Sequence, residues 1–368
     1  MIQRRFSLKT LKDFGFGKQS LESAINTEID ELIEIFKTHQ GDDYLLQNDF
    51  NIPIINILWK MIAGYRFTQR EEHAEGLRAV KSVSDIFSTG IRTNLFPLAF
   101  CKVFPNFTNY KKRVEIADLQ MKFLKKEIEQ HQNSFDASNP KDFIDVYLAE
   151  MHKDPKDEMS LDDLVCAVID MFHAGTETSS TTLKWILLYL SLHPDVQQQC
   201  RDEVQSVLGD NGRCTMSHLQ SLPYTMATIT EIQRLAWVAP MSLIHKTSSP
   251  TKIGQFRFPA GSLFAANLSF ISNDPSVIDN PSNFDPLRWI EDGKFVRNER
   301  LIPFGIGKRS CMGELLARNE IFLFTVNLVQ KLRFSLPIKN PMPSTRNYTA
   351  NLTRIPDHFH LRFESTTV

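Results

Sequence analysis

The chain has 368 residues, with 42 basic and 43 acidic side chains and a formal net charge of −1 at pH 7. This balance argues against a nucleic-acid binder that relies on phosphate contacts, so we expect no nucleic-acid partner. Hydrophobic residues make up 42% of the sequence, enough for a sizeable core. Length alone is compatible with one large domain or two.

The cysteines are odd in number, scattered, and never arranged as C-x-x-C; they are Cys101, Cys166, Cys200, Cys214 and Cys311. This distribution suggests neither a cysteine zinc cage nor a disulfide framework, and it fits a chain that faces the cytosol. No apolar run approaches the ~20 residues that cross a bilayer, and no signal peptide opens the sequence.

The first part of the sequence predicts a series of helices. Apolar residues at helical spacing predict helices over residues 2–14, from Ser20 to about 40, 54–63, 74–93 and 110–132. The segment between the last two is rich in Phe and Pro. We expect its aromatic residues to pack in the core rather than to line a pocket; they are Phe96, Phe100, Phe104 and Phe107.

A capping box formed by Ser160 and Asp163 predicts a helix that continues to about Leu192. Its length indicates an element that crosses the whole domain. Further helices are predicted over 194–208, 223–236 and 311–332, with short strands after Pro240 and at the end of the chain. No repeat or linker divides the sequence, so we expect a single domain over residues 1–368, mainly α with a small sheet.

A glycine-rich loop before the last helix presents one cysteine, in the pattern Phe304, Gly307, Arg309, Cys311, Gly313. A helix N-terminus and Arg309 would both favour the thiolate, and a lone thiolate suits an axial haem position better than a zinc site. The alternative for any single cysteine is a small buried hydrophobic residue without chemistry.

All fixed positions of F-x-x-G-x-R-x-C-x-G are filled, and this pattern resembles the cysteine loop of the cytochrome P450 superfamily, the haem-thiolate monooxygenases. The resemblance implies a mainly α cytochrome P450 fold and a haem b cofactor with Cys311 as the axial ligand of the iron. It also implies haem contacts for Phe304 and Gly313. Further stretches, among them residues 4–8 and 129–148, are similar to microsomal animal enzymes that act on drugs and other xenobiotics, fatty acids or steroids.

The long predicted helix contains a second chemical segment, residues 174–179. A glycine inside a helix costs about 1 kcal/mol against alanine, and threonines can bond to the carbonyl a turn earlier, so a kink or a widened turn is predicted. Glu177 and Thr178 would supply an acid and an alcohol for proton delivery. The alternative is a polar break in a core helix. The resemblance favours an oxygen-activating helix, with Ala174 and Asp170 facing the oxygen.

The sequence Glu231 to Arg234 places opposite charges three residues apart, which alone reads as an ordinary surface pair. The resemblance implies instead a buried trio that includes Arg288 and supports the haem-side core. For the haem propionates, the resemblance suggests Arg309, His245 and Arg4. Arg4 matches the Arg of W-x-x-x-R, whose Trp would fall before Met1.

No G-x-G-x-x-G motif follows a predicted strand, so no nicotinamide or flavin site is predicted. Electrons would therefore come from a separate reductase. The resemblance implies an NADPH-dependent flavoprotein reductase, with a cytochrome b-type protein as a second donor. Basic residues such as Lys308 and Arg318 would dock this reductase, or are simply solvated. Residues 238–243 and the segment near Ala350 are expected to touch substrate.

Members of the family carry a membrane anchor, an early helix, sheet strands and a pocket-roofing segment before the helix that opens here. We therefore expect an N-terminally truncated chain with an unpaired sheet edge. The resemblance implies membrane association at the cytosolic face of the endoplasmic reticulum, with the anchor absent here. The expected activity inserts one atom of O2 into a small apolar substrate. Two alternatives stay open: a truncated product that folds poorly or binds haem without turnover, and a haem-thiolate isomerase or dehydratase.

Overall fold

The structure is a computed structural model that describes residues 2–14, 19–68, 70–86, 93, 96–153, 159–338, 341–350 and 352–366. The helices of its first half are α1 (Ile2–Phe14), α2 (Gln19–Thr38), α3 (Asn51–Ala63), α4 (Ala74–Lys81), α5 (Leu98–Val103), α6 (Tyr110–Ser134) and α7 (Phe143–Lys153). Those of its second half are α8 (Leu161–Leu192), α9 (Pro194–Leu208), α10 (Pro223–Ala236), α11 (Leu268–Ser272) and α12 (Glu314–Lys331).

The strands are short and lie mostly in the last third of the chain. They are β1 (Tyr44–Leu46), β2 (His245–Lys246), β3 (Thr251–Ile253), β4 (Phe256–Phe258), β5 (Leu263–Phe264), β6 (Ile290–Glu291), β7 (Lys294–Phe295), β8 (Leu332–Ser335), β9 (Tyr348–Ala350), β10 (Arg354–Pro356) and β11 (Phe359–Ser365). One antiparallel sheet has the order β1-β11-β8, and the pairs β2-β5, β3-β4, β6-β7 and β9-β10 are two-stranded.

Most predicted helices lie where the sequence placed them, because their ends carry recognisable signals. The capping box at Ser160 and Asp163 is present, with both reciprocal hydrogen bonds. Gly64 ends α3 in the left-handed conformation, with φ of 78°, and its N–H bonds to the carbonyl of Lys60. The helix predicted over 74–93 is interrupted at Ser82, where α4 has ended in a turn. Residues 83–86 and 93 are helical again, and residues 87–92 lie outside the described part.

The expectation that the four phenylalanines of residues 96–107 pack in the core is wrong. Phe104 and Phe107 are 50% and 58% exposed, and Phe96 and Phe100 are each 36% exposed. Their rings contact one another instead: the centroids of Phe96 and Phe100 lie 4.8 Å apart in a stacked arrangement. The segment, which includes the unpredicted helix α5, therefore presents an aromatic surface to its surroundings.

Helix α8 is the centre of the core, where it packs against α3, α6 and α12. Gly175 marks the closest approach of α8 to α3, because a Cβ built at this glycine would lie 2.5 Å from Cδ2 of Leu58. One turn away, the buried Phe172 meets the edge of Trp59 with ring centroids 5.7 Å apart. The glycine thus serves helix packing rather than the predicted widened turn, and α8 is α-helical at every residue from 161 to 192.

The two ends of the described chain share one sheet and one core cluster. Strand β11 pairs with β1 through Leu45 opposite His360, and with β8 through Phe363 opposite Phe334. Phe363 also stacks on Phe36 of α2, with the ring centroids 4.3 Å apart. Within the described part, no helix is both long and apolar enough to cross a membrane.

Candidate active site

The cysteine loop is a compact turn that ends just before α12. The backbone N–H of Cys311 donates to the carbonyl of Phe304, with the nitrogen 2.8 Å from the oxygen. Gly305 and Gly307 have φ angles of 70° and 77°, a conformation that side chains disfavour. Gly313 is the residue before the first turn of α12, which begins at Glu314. The sequence analysis predicted a start at Cys311, three residues earlier.

The loop leaves room for a flat ligand beside the thiol. The side chain of Cys311 is exposed, and a Cβ built at Gly307 or Gly313 would meet no atom within 4 Å. A ring system can therefore approach the backbone on both sides of the cysteine, and the sulfur is a soft donor of the kind that binds haem iron. The residues present fit a haem with a thiolate ligand.

The electrostatics of the thiol differ from the expectation. Although the residue has open surface, the surrounding chain desolvates the sulfur, and this raises the pKa of Cys311 above its usual value. The backbone N–H of Gly313 and the charge of Arg4 offset the rise only in part, and Glu314 adds to it. The expected lowering of this pKa by a helix N-terminus and Arg309 is therefore wrong for the protein alone.

Of the residues expected near the haem propionates, the structure brings Arg4 to the loop. Its Nη2 donates to the carbonyl oxygen of Ser310, the neighbour of Cys311. Arg309 lies in the loop with an exposed side chain. His245 is exposed on strand β2, opposite Phe264 of β5, and no hydrogen bond between described residues links it to the loop.

Phe304 has a partner that the sequence did not indicate. The guanidinium carbon of Arg318 lies 4.8 Å from the centre of its ring, and Arg318 also bonds to Glu314 at 2.8 Å. Arg318 was expected to be either a docking residue or a solvated charge. Its guanidinium also supports the aromatic residue that opens the cysteine loop, and its side chain is 30% exposed.

Helix α8 separates the two residues that were expected to act as a pair. Thr178 is partly exposed on the face that also carries the exposed Ala174 and Asp170, and its Oγ1 donates to the carbonyl of Ala174 at 2.8 Å. Glu177 is completely buried. The reason is helical geometry, since consecutive residues point about 100° apart around the axis.

Glu177 has its own partners inside the protein. Ser84 donates its hydroxyl to Oε2 at 2.7 Å, and Thr181 donates to Oε1 at 3.2 Å. The ammonium group of the buried Lys184 is attracted by this carboxylate, although burial is the stronger effect and lowers the pKa of Lys184. The expectation that Glu177 and Thr178 form a direct proton relay is therefore not supported by their arrangement.

The three charged residues Glu231, Arg234 and Arg288 meet as the resemblance implied. Arg234 donates to both carboxylate oxygens of Glu231, at 2.8 and 2.7 Å, and Arg288 donates from Nε at 2.9 Å. The side chains of Glu231 and Arg234 are completely buried, and that of Arg288 is 12% exposed. Trp289, unnoticed in the sequence, adds an indole N–H bond to Glu231 at 2.9 Å.

Other partners were missed because no local signal marks them. Ser84 precedes Glu177 by 93 positions, and Ser310 follows Arg4 by 306 positions. Only Trp289 had a usable signal, since it directly follows Arg288 in the sequence. These contacts depend on how the helices pack, which residue spacing does not report.

Comparison with known proteins gives a family match across nearly the whole sequence. The family model described as Cytochrome P450 matches residues 1–363. The chain is 34% identical to cytochrome P450 2J3 of Rattus norvegicus, over 92% of this chain and 68% of that protein. It is 37% identical to cytochrome P450 2U1 of Mus musculus, over 93% of this chain and 65% of that protein.

A relative from an invertebrate shows the same extent of similarity. Cytochrome P450 2L1 of Panulirus argus is 32% identical over 91% of this chain and 70% of that protein. The chain thus spans about two thirds of the length of these relatives. These matches confirm the mainly α fold and the monooxygenase class expected from the family resemblance. They also confirm the animal P450 branch expected from residues 4–8, 129–148 and the cysteine loop. The chain belongs to the cytochrome P450 family, whose members are haem proteins.

Proposed function

We propose that residues 1–368 form a single haem-binding domain that inserts one atom of O2 into a small apolar substrate of the xenobiotic, fatty-acid or steroid class. The observation that carries the proposal is the exposed thiol of Cys311 in a glycine loop with open space beside it. Haem b, when bound, supplies the iron at which oxygen is activated. The protein supplies the ligand, the orientation and the protons.

On the cysteine side, the chain binds and orients the cofactor. The Sγ atom of Cys311 would ligate the iron, and Gly313 and Phe304 would lie beside the ring. Arg4 and Arg309 supply positive charge for the propionates, and Arg4 is already held at the loop by the Ser310 carbonyl. His245 is a third candidate, exposed on β2.

On the oxygen side, Thr178 holds the proton that can be delivered. Its hydroxyl lies on the face of α8 that Ala174 and Asp170 leave open, and it can rotate from the Ala174 carbonyl toward a bound molecule. Glu177 positions α8 through its bonds to Ser84 and Thr181. Substrate would contact residues 238–243, of which 241 and 243 are exposed.

The electrons would come from NADPH through a flavoprotein reductase, with a cytochrome b-type protein as a second donor. Lys308 is exposed in the cysteine loop and offers positive charge to an acidic partner. By similarity to its relatives, the protein would act at the cytosolic face of the endoplasmic reticulum membrane.

The test is the spectrum of the reduced protein with carbon monoxide. The haem-loaded chain should give the red-shifted Soret band of a thiolate-ligated haem, and Cys311→Ala should abolish the band. Cys166→Ala is the matched control, because Cys166 is the other exposed thiol of the described residues, and this variant should keep the band. Absence of the band in the wild-type chain would overturn the haem site.

Turnover is tested separately, with added reductase, NADPH and O2. A monooxygenase consumes NADPH in step with oxygenated product, and Thr178→Ala should shift consumption from product toward peroxide. A normal carbon monoxide band without NADPH-dependent product would identify the chain as a haem-binding protein without turnover. Conversion of a peroxide substrate without reductase would identify an isomerase or dehydratase.

A further inference from the structure

A cluster of three ligand-type side chains lies far from the cysteine loop in sequence. His131 is near the end of α6, Asp142 directly precedes α7, and Asp145 is in the first turn of α7. One nitrogen or oxygen atom from each residue can be chosen so that all three lie within 4.8 Å of one another. All three side chains line a cavity of about 500 Å³ between α2, α3, α6 and α7, which Tyr65 and Ser134 also line.

The imidazole ring is fixed in the orientation that a metal ligand needs. Nδ1 of His131 lies 2.8 Å from the carbonyl oxygen of Glu127, which can only accept, so Nδ1 carries a hydrogen. Nε2 points to Oδ2 of Asp142, at 3.0 Å. In metal sites, a ligating histidine usually donates its second N–H to a carbonyl or carboxylate in this way.

Backbone N–H groups fix the positions of both carboxylates. Oδ1 of Asp142 accepts the backbone N–H of Asp145 at 3.0 Å, and Oδ2 of Asp145 accepts the N–H of Lys141 at 3.0 Å. These bonds use one oxygen of each carboxylate. The second oxygen of Asp142 faces the imidazole, and that of Asp145 receives no hydrogen bond from the described residues.

The charge of the cluster favours a cation. Asp142 and Asp145 are 3% and 8% exposed, so little water screens their two negative charges. A protonated His131 leaves the three side chains with a net charge of −1. A divalent cation that replaces the Nε2 proton leaves the imidazole neutral. The net charge of the ion and the three side chains would then be zero. Glu127 also interacts electrostatically with His131, and the exposed Lys60 and Lys141 line the cavity.

We propose that His131, Asp142 and Asp145 form a Zn²⁺ site that ties the end of α6 to the start of α7. One imidazole nitrogen and two carboxylate oxygens suit zinc, which commonly takes three protein ligands and a water, whereas Mg²⁺ and Ca²⁺ prefer oxygen alone. The cavity gives the ion access and space for the water. The site is separate from the haem chemistry and does not depend on it.

Zinc binding to the full-length, haem-loaded chain, freed of loosely bound metal, tests the proposal by competition with a chromogenic chelator. All proteins keep Cys311, which the haem occupies, and carry Cys166→Ser, since an exposed free thiol binds zinc. We expect one equivalent of bound Zn²⁺, with binding at least about 10-fold weaker in Asp145→Asn and His131→Ala. The amide oxygen of Asn can still accept the Lys141 N–H, so the start of α7 is preserved.

His152→Ala is the matched control, because Nδ1 of His152 faces the Leu148 carbonyl at 2.6 Å and no ion pair between described residues includes it. This variant should bind zinc like the parent protein. Thermal unfolding is the second measurement: zinc should raise the unfolding temperature of the parent and of the control by a similar amount, and that of Asp145→Asn by less. Equal zinc affinity in the parent and in Asp145→Asn would overturn the site.

Discussion

At the scale of single residues, Glu320 of α12 is an acid that the protein holds without a countercharge. It is 1% exposed, its Oε2 accepts the hydroxyl of Ser179 at 2.7 Å, and its Oε1 has no hydrogen-bond partner within the described structure. Burial raises the pKa of Glu320 to about 8, although the Ser179 hydroxyl opposes the rise. The side chain is therefore neutral at pH 7, which reduces the cost of burying it.

This raised pKa makes stability depend on pH. The folded state keeps the Glu320 proton up to about pH 8, whereas in the unfolded chain the pKa of this side chain returns to its usual value of 4.5. The contribution of Glu320 to stability is therefore greatest below pH 4.5 and declines as pH rises toward 8, by up to about 1.4 kcal/mol per pH unit. Glu320→Gln should remove this slope in urea unfolding measured at several pH values. An unchanged slope would contradict the assignment.

Glu177 and Thr178 offer a second comparison between neighbours. Glu177→Gln replaces a buried acceptor of two hydroxyl donors, and we expect a loss of about 1–3 kcal/mol in the free energy of unfolding. Thr178→Ala, on the open face, should change stability by less than about 0.5 kcal/mol. Denaturant unfolding of both variants measures the difference. A larger loss in Thr178→Ala would show that the helix faces are reversed.

At the scale of elements, α3 and α8 approach each other so closely at Gly175 that a side chain at this position would clash with α3. Gly175 brings the α8 backbone against Leu58, which is 4% exposed and cannot swing into solvent. The contact explains why a residue that weakens helices by about 1 kcal/mol stands in the middle of the longest one. Close packing outweighs propensity here.

Enlarging this glycine should therefore destabilise the protein unless α3 gives way. We expect Gly175→Val to cost about 1–3 kcal/mol through overpacking. Combined with Leu58→Ala, the valine side chain gains space, so the double variant should be more stable than the sum of the single changes predicts. A double-mutant cycle in urea measures the coupling. Strict additivity would mean that the two helices are not in contact at this point.

The charged trio connects α10 to the turn around residues 286–289. Removing its acceptor by Glu231→Ala leaves the buried Arg234 without a countercharge, at a cost of about 3–5 kcal/mol. Glu314→Ala breaks a partly exposed pair with Arg318 and should cost at most about 1 kcal/mol. Thermal unfolding distinguishes the two variants. Equal losses would mean that the trio is open to solvent.

At the scale of the whole molecule, the beginning and the end of the chain stabilise one another. The order β1-β11-β8 places the last strand at the centre of its sheet, and the stacked rings of Phe36 and Phe363 join that sheet to α2. The two phenylalanines are fully buried. Loss of either ring therefore weakens both ends of the chain.

Phe363→Ala should reduce the free energy of unfolding by about 3–5 kcal/mol, because it leaves a cavity between β11 and α2. Ile338→Ala is the control, since this nearby residue is 95% exposed, and its effect should stay within about 0.5 kcal/mol. Guanidinium unfolding followed by circular dichroism measures both variants. A loss below about 1 kcal/mol in Phe363→Ala would contradict the position of β11.

The sequence predicted helices with periodic apolar faces and marked ends, such as α8 and α10, because these signals act over a few residues. It missed α7, and it did not show the turn at Ser82 that interrupts the helix predicted over 74–93. The cysteine loop could be recognised because its residues are consecutive. Its contact with Arg4 was out of reach, since the two segments meet only through the packing of α1 and the loop.

The exposed phenylalanines show that burial could not be predicted from residue type. Composition favours a buried position for phenylalanine, yet Phe104 and Phe107 are half exposed, because exposure depends on which segments surround them and not on their own polarity. The division of Glu177 from Thr178 could be expected from helical geometry. The sequence could not predict which of these two residues points into the core, since this depends on Ser84, which lies in a distant segment.

The hydrogen bond from Arg4 to Ser310 has a practical consequence for producing the protein. An affinity tag fused at the N-terminus would begin four residues from a contact that supports the cysteine loop. A tag after Val368 instead follows β11, whose last residue in the sheet is Ser365. A C-terminal tag therefore leaves the segment around Arg4 unchanged, whereas a tag joined directly before Met1 adds residues next to the contact between Arg4 and the cysteine loop.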